Sequence, residues 1–270
     1  MANDLMGGRV PETRGDRFPT PTAAPRREPG GDGSGLGMMA APEATAAISA
    51  AAWTAAALAD RLADYGADER RLAAEQALVA ADEDIDAVFR VADGLLIAYA
   101  DRADGMPRIT ALYFPGDMVL PGGPDATRGE AIAATVPSRL IAYPLDAVKR
   151  ACAAEPDIGY ALFETACAEI SRRLRDEVAL RAMTVEERLA AVLLEMGGRI
   201  GTPLGTGLEV VLPVTRAQIG SYLNLRSETI CRIFARWKRR GWIALRGRRV
   251  IELRRPDELR GVIGSAKADS

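Results

Sequence analysis

Residues 214–243 read VTRAQIGSYLNLRSETICRIFARWKRRGWI, and the organisation of the chain turns on how this stretch folds. Thr215 and Gln218 have the T-x-x-Q spacing of a capping box, so the segment RAQIGSYL is predicted to be a helix. Asn224 follows, a residue that tolerates the positive φ of a tight helix-to-helix turn. A second helix is expected over 226–238. On it Ile230, Ile233, Phe234 and Trp237 fall at i, i+3, i+4 and i+7, one apolar stripe. Ser227, Glu228, Cys231 and Arg232 fall on the other side, near the helix start. Gly241 to Leu245 and Val250 to Leu253 then form a hairpin around Gly247, with a basic tip from Arg246 to Arg249. Helix, tight turn, helix and basic hairpin make a winged helix-turn-helix, whose second helix enters the DNA major groove.

The polar face of that helix suits base reading. A guanidinium fork matches the O6/N7 pair of guanine, and a carboxylate, which only accepts, suits the amino group of cytosine. Glu228 and Arg232, one turn apart, can also restrain each other. Taken alone the two are an ordinary exposed ion pair; the helix-turn-helix frame and the basic hairpin favour DNA. Lys238, Arg239 and Arg240, at the far end, and Arg248 in the hairpin are candidates for phosphate contacts.

Charge is distributed to match. The 270 residues carry a net charge of −2, yet residues 211–262 hold thirteen Lys/Arg against four acids, a local +9. The remainder therefore carries −11. A basic end on an acidic body points to a polyanion partner for that end, against the plainer reading of a solvated charged surface. The three cysteines, Cys152, Cys167 and Cys231, are too widely spaced for a metal framework or a disulfide scaffold, and His is absent. That removes the commonest metal ligand and general base. No nucleophile–base pair or phosphate loop is visible, so no enzyme is expected. No run of about 18 apolar residues exists, and a cytoplasmic protein without membrane attachment is expected.

Upstream, residues 1–44 are rich in Gly, Pro, Arg, Asp and Ala and read as a disordered leader. An Ala-rich helix is predicted from Glu43 to Ala63, and a short one from Asp68 to Ala74. Residues 76–145 hold short apolar runs (ALVA, AVFRV, LLIAYA, RITALYF, MVL, AIAATV, RLIAYPL) separated by turn signals, the pattern of an antiparallel β-roll or jelly-roll. Within it Arg90 is expected to be exposed and Tyr99 and Tyr113 packed. From Asp157 to about Met183 a long helix is predicted. Cys167, Ile170, Leu174 and Val178 form a narrow apolar seam on it, suited to self-association in preference to packing on the β unit of the same chain. A second capping box, Thr184-x-x-Glu187, opens a helix expected to close at Gly197-Gly198, with Leu189, Val192, Leu193 and Met196 buried. Residues 201–207 are expected to be loop and 208–212 strand. The fold class is α+β, with a β-roll sensor domain (45–155), a dimerisation helix (156–184) and a winged helix-turn-helix (185–270).

The quoted stretch resembles the DNA-binding end of the Crp/Fnr superfamily of bacterial transcription regulators. The order of β-roll, long helix and winged helix extends the resemblance over about residues 50–262. In the Fnr and FixK branches the recognition helix carries Glu-x-x-Ser-Arg, whose places here are held by Glu228, Cys231 and Arg232. The resemblance implies a cyclic-nucleotide-binding-like, cupin-like sensor fold. It implies that Arg232 reads guanine, Glu228 the opposite-strand base, and position 231 a thymine methyl. Thr215, Arg216, Arg226 and Thr229 match phosphate-contact positions. The implied target is a TTGA-like half-site in an inverted repeat bound by a homodimer, with RNA polymerase as a further partner. Cys231 stands where the family has Ser, and Asn224 where Gly is common. The competing reading is a winged helix that binds RNA or protein without reading sequence.

The sensor segment lacks the family's effector signatures. No Gly-Glu precedes Arg128, which disfavours a cyclic nucleotide; Gly122, Gly123 and Arg128 are a weak effector candidate. Iron–sulfur members need about four cysteines, several near the N-terminus, and haem ligation through His is excluded. Asp82-x-Asp84-x-Asp86 resembles the start of a calcium loop but lacks its Gly and its terminal Glu, and reads as an acidic turn. No cofactor is expected. Cys231 is read either as a small packing residue or as a redox brake on DNA binding.

Overall fold

The computed structural model describes residues 55–80, 86–101, 107–120 and 130–263. The leader, the first part of the expected Ala-rich helix, Asp82 and Asp84 of the acidic turn, and Gly122, Gly123 and Arg128 lie outside the described residues.

Helix α1 (Ala55–Ala63) buries Leu58, Ala59 and Leu62. The next segment corrects an expectation. Asp68–Leu72 is a strand, β1, and not a helix. Its composition, DERRL, carries no apolar helical period, whereas pairing with a neighbouring strand gives the backbone groups on its inner side partners. It pairs antiparallel with Ser138–Ala142, which brings Glu69 to 3.7 Å from Arg139 and buries Leu72.

Seven further strands follow: β2 (Ala77–Val79), β3 (Ala87–Asp93), β4 (Leu96–Asp101), β5 (Pro107–Tyr113), β6 (Met118–Val119), β7 (Glu130–Ala134) and β8 (Ser138–Pro144). They form two four-stranded antiparallel sheets, β1-β8-β3-β6 and β2-β7-β4-β5, the jelly-roll form of the expected β unit. Phe89, Val91, Leu96, Ala111, Tyr113 and Leu140 fill the space between them. Val88 points the other way, into a second cluster with Leu58, Leu62 and Ile158. Both faces of β3 are therefore covered, and Arg90, expected to be exposed, is half-buried. Tyr113 is buried and Tyr99 partly so, as expected. A register shift between β4 and β5 leaves Thr110 as an extra residue, so Ile109 and Leu112, three apart, face the same side.

Helix α2 (Leu145–Ala154) leads into α3 (Pro156–Ala182), 27 residues long with Pro at its first position, where the missing N–H costs nothing. Only Ile158 and Ala161 of α3 are fully buried. Tyr160, Phe163, Cys167, Ile170, Leu174 and Val178 are all exposed along one side.

Helix α4 (Val185–Ile200) opens with the Thr184/Glu187 capping box complete in both directions. It does not close at Gly197-Gly198 but runs on to Ile200, with Gly201 as its cap. Gly197 serves packing: a Cβ there would stand 2.9 Å from Leu253 Cδ1 and 3.1 Å from Leu208 Cδ1. Residues 201–207, expected to be loop, contain strand β9 (Thr202–Leu204), which hairpins onto β10 (Gly207–Val211). After α5 (Arg216–Leu223) and α6 (Ser227–Arg239) come β11 (Ile243–Arg246), β12 (Val250–Leu253) and α7 (Pro256–Val262). The small sheet has the order β11-β12-β10-β9.

The winged helix is seated on the jelly-roll. Leu95, Ile109, Leu112 and Phe114 join Leu189, Leu193, Met196 and Tyr222 in one apolar cluster. The Ile109 N–H donates to Ser221 Oγ at 3.0 Å, and Arg199 stacks 5.2 Å from the Phe114 ring. Tyr222 donates from its hydroxyl to Asp176 of α3 at 3.0 Å.

Candidate nucleic-acid interface

Local contacts fix both the start of α5 and its turn into α6. The Thr215 side chain caps α5 by accepting from Gln218 N–H at 3.1 Å, and Gln218 reaches back to the Thr215 N–H at 2.8 Å. Asn224 ends α5 at φ 55°, ψ 48°, the left-handed conformation expected of it. The chain then folds close to α5: the Leu225 N–H donates to Gly220 O at 2.7 Å, and a Cβ on Gly220 would stand 2.5 Å from Leu225 O. Only glycine lets the two helices cross so tightly.

Helix α6 presents two distinct faces. Ile230, Ile233, Phe234 and Trp237 are buried, and Trp237 is fully inaccessible. Ser227, Glu228, Cys231 and Arg232 are exposed together near its N-terminal end. Glu228 and Arg232 approach to 3.8 Å with side chains 77% and 73% exposed, a loose pair that leaves the guanidinium fork open to a ligand. Arg216 of α5 reaches across: it lies 5.5 Å from the Phe234 ring and its Nη1–H donates to Cys231 Sγ at 3.3 Å.

Three carboxylates elsewhere take arginines out of circulation. Glu186, in the first turn of α4, accepts from Trp237 Nε1 at 2.6 Å and from Arg236. In the wing, Glu252 is 5% exposed beneath Arg246 and Arg254, and Glu209 also engages Arg246 at 3.2 Å. The wing tip then turns through Gly247, and Arg248 and Arg249 stand exposed beyond the paired Arg246.

Residues 187–262 match the Crp-like helix-turn-helix domain. The transcriptional regulatory protein btr of Bordetella pertussis is 31% identical over 170 residues, covering 63% of this chain and 70% of that protein. The chain belongs to the Crp/Fnr superfamily of transcription regulators. The regulatory protein HlyX of Actinobacillus pleuropneumoniae is 29% identical over 188 residues, 68% of this chain and 77% of that one. Among solved structures, FixK2 from Bradyrhizobium japonicum superposes with a TM-score of 0.65 at 25% identity, over 74% of this chain and 98% of that one. Crp/Fnr proteins are transcription regulators and not enzymes; they bind DNA through the winged helix and act as dimers.

In this Crp/Fnr regulator the expected DNA-facing residues are carried by α5, α6 and the wing. Arg226 is exposed at the capping position of α6 and Thr229 is half-buried in its first turn, while Thr215 and Arg216 lie at the start of α5, from which Arg216 reaches Cys231. Lys238 lies exposed at the far end, and Arg240 there stacks 4.8 Å from Trp242. The helix seam is exposed as expected and longer than expected, because Tyr160 and Phe163 extend it by two positions. Sequence reading missed Glu186, Arg236 and Gly220. The first two lie in different helices, and only the fold joins them. No helix among the described residues is long and apolar enough to cross a membrane. The free cysteines sit on α2, α3 and α6, and no described group of three or more His, Cys, Asp or Glu fits a metal ion.

Proposed function

We propose that this regulator is a homodimer that reads an inverted repeat of TTGA-like half-sites with Glu228 and Arg232, and that it recruits RNA polymerase in a bacterial cytoplasm. The observation that carries the reading is the exposed, loosely paired Glu228 and Arg232 on a helix whose opposite side is locked into the core. A locked helix keeps the two side chains at a fixed height and angle, which base-edge hydrogen bonding needs. The apolar side of α3 supplies the dimer contact: the six exposed residues from Tyr160 to Val178 recur at three and four, a seam wide enough for one partner helix. No resident cofactor enters this reading. The test is a titration of the full chain with a duplex carrying an inverted TTGA repeat, half-sites one helical turn apart, against a scrambled duplex of equal length. Preference for the repeat supports the reading. Equal binding to both favours a winged helix that does not read sequence.

A second layer of the proposal is redox control at Cys231. Its thiol is exposed on the reading side and holds the Arg216 guanidinium at 3.3 Å. Peroxide oxidation of that thiol to a sulfenic acid releases water and adds an oxygen where a base edge must fit. Operator binding of wild type and Cys231→Ser is compared after peroxide. Loss of binding in wild type alone supports the brake; equal sensitivity of the two removes it.

A further inference from the structure

Glu228, Arg232 and Arg236 stand at i, i+4 and i+8 on α6 and form one ridge. The two arginines are held differently. Arg232 meets its own-helix partner only at 3.8 Å and is largely free. Arg236 donates from Nη2 to Glu186 Oε2, and Trp237 donates from Nε1 to the other oxygen of the same carboxylate, at 2.6 Å. One side chain from α4 thus grips two successive residues of α6. The side chains of Glu186 and Arg236 are 26% and 42% exposed, so the pair sits at the surface and not in the core. It lines an open groove of about 540 Å³ that Thr229 and Arg232 also line. The held arginine therefore borders the same groove as the reading arginine.

A free arginine at position 236 would be a cation beside the DNA backbone. Phosphate attraction is blind to sequence, and each such contact steepens the salt dependence of binding by about 0.9 in the log–log slope. Discrimination depends on the difference between right and wrong sites, so an added sequence-blind contact raises both affinities.

We propose that Glu186 is a specificity-determining residue of DNA recognition: it withholds Arg236 from phosphate and, through Trp237, fixes the orientation from which Arg232 reads. The inference rests on α6 being the reading helix, as proposed above. Its two roles separate chemically. Glu186→Gln keeps an amide oxygen for the indole but removes the charge that holds Arg236.

The test measures binding of the full chain to the inverted repeat and to a scrambled duplex over a series of salt concentrations. E186Q is expected to bind the scrambled duplex about fivefold tighter at physiological salt for each recognition helix engaged, with a slope steeper by about one unit. Its preference for the repeat falls accordingly. Adding Arg236→Ala to E186Q returns the slope to the wild-type value. Arg236→Ala alone is a second arm that does not depend on how E186Q folds, and it is expected to keep the wild-type slope. A wild-type slope and wild-type discrimination in E186Q overturn the inference, as does a slope lowered by about one unit in R236A alone. A wild-type chain that binds both duplexes alike overturns the reading-helix assignment and this inference with it. Discrimination by wild type, with the variants unchanged, overturns this inference alone.

Discussion

The indole Nε1 of Trp237 lies 2.6 Å from Glu186 Oε1, joining the fully buried end of the α6 stripe to the first turn of α4. A buried indole without an acceptor strands its donor, and a charged acceptor makes the bond one of the stronger kind. Trp237→Phe keeps most of the apolar volume and loses this bond. It is expected to lower unfolding stability by about 1.5–3 kcal/mol. Trp237→Ala, which also opens a cavity beside Phe234, is expected to cost about 3–5 kcal/mol. Urea unfolding followed by circular dichroism gives both values. Equal stabilities for the two variants would show that the cavity adds nothing to the lost bond.

Asn224 provides a backbone test of the turn. Its φ of 55° is left-handed, and a side chain without a local hydrogen bond pays about 1–2 kcal/mol there. Asn224→Ala is therefore expected to lose about 1 kcal/mol, while Asn224→Gly stays near wild type or gains slightly. Gly220→Ala is expected to be worse than either, because the added methyl meets Leu225 O at 2.5 Å. Thermal unfolding of the three variants ranks them. A Gly220→Ala chain as stable as wild type contradicts the close crossing of α5 and α6.

Glu195 of α4 has its carboxyl pushed above the ordinary value of 4.5 by burial first and by Asp176 second. Arg172 of α3 and Arg199 act against the shift, Asp117 adds to it, and Tyr222 of α5 lines the same small cavity. A raised folded-state value means that the stabilising, protonated form is fully present below the unfolded value. Its contribution is lost as pH rises through the folded value. Glu195→Gln, which mimics the protonated form, is thus expected to stabilise the protein at neutral pH and to change little at pH 4 or below. Chemical unfolding across this pH range checks the sign. A variant less stable than wild type at neutral pH contradicts it.

The α3 seam gives a geometric prediction. Two recognition helices reading one inverted repeat must lie at the same end of a two-fold dimer, so the two copies of α3 run parallel. Under that symmetry each seam residue faces its own equivalent. With Cys152 and Cys231 replaced by Ser, diamide, which takes up the two thiol hydrogens, is expected to link the chains through Cys167. The readout is a dimer band that reducing agent removes. Leu174→Glu, placed in the same seam and 62% exposed in the single chain, is expected to shift the protein toward monomer in sedimentation and to weaken operator binding. An unlinked Cys167 together with a dimeric Leu174→Glu chain contradicts the parallel seam.

The winged helix was legible because each of its signals is local. Two capping boxes, one left-handed Asn and a stripe at i, i+3, i+4 and i+7 need no distant partner, and all are present as expected. What was misread depends on distant partners. DERRL becomes strand only because β8 is there to pair with it, and Gly197, which reads as a helix stop, is instead a packing glycine under Leu253 and Leu208 in a helix that runs on to Ile200. Arg90 is half-buried because a second layer covers β3 from behind. Glu186 carries no local motif at all. Its partners are 50 and 51 residues away, a separation at which pattern reading has no purchase.

The central claim is that Arg232 reads a base from a helix held in place by its buried face. The most direct measurement is the affinity of wild type and Arg232→Ala for the inverted repeat and for repeats in which the guanine of each half-site is replaced. Wild type is expected to lose about 1–3 kcal/mol per replaced guanine, and Arg232→Ala to bind all of these duplexes with nearly equal, weaker affinity. An Arg232→Ala protein that still distinguishes the guanine as sharply as wild type would contradict the account.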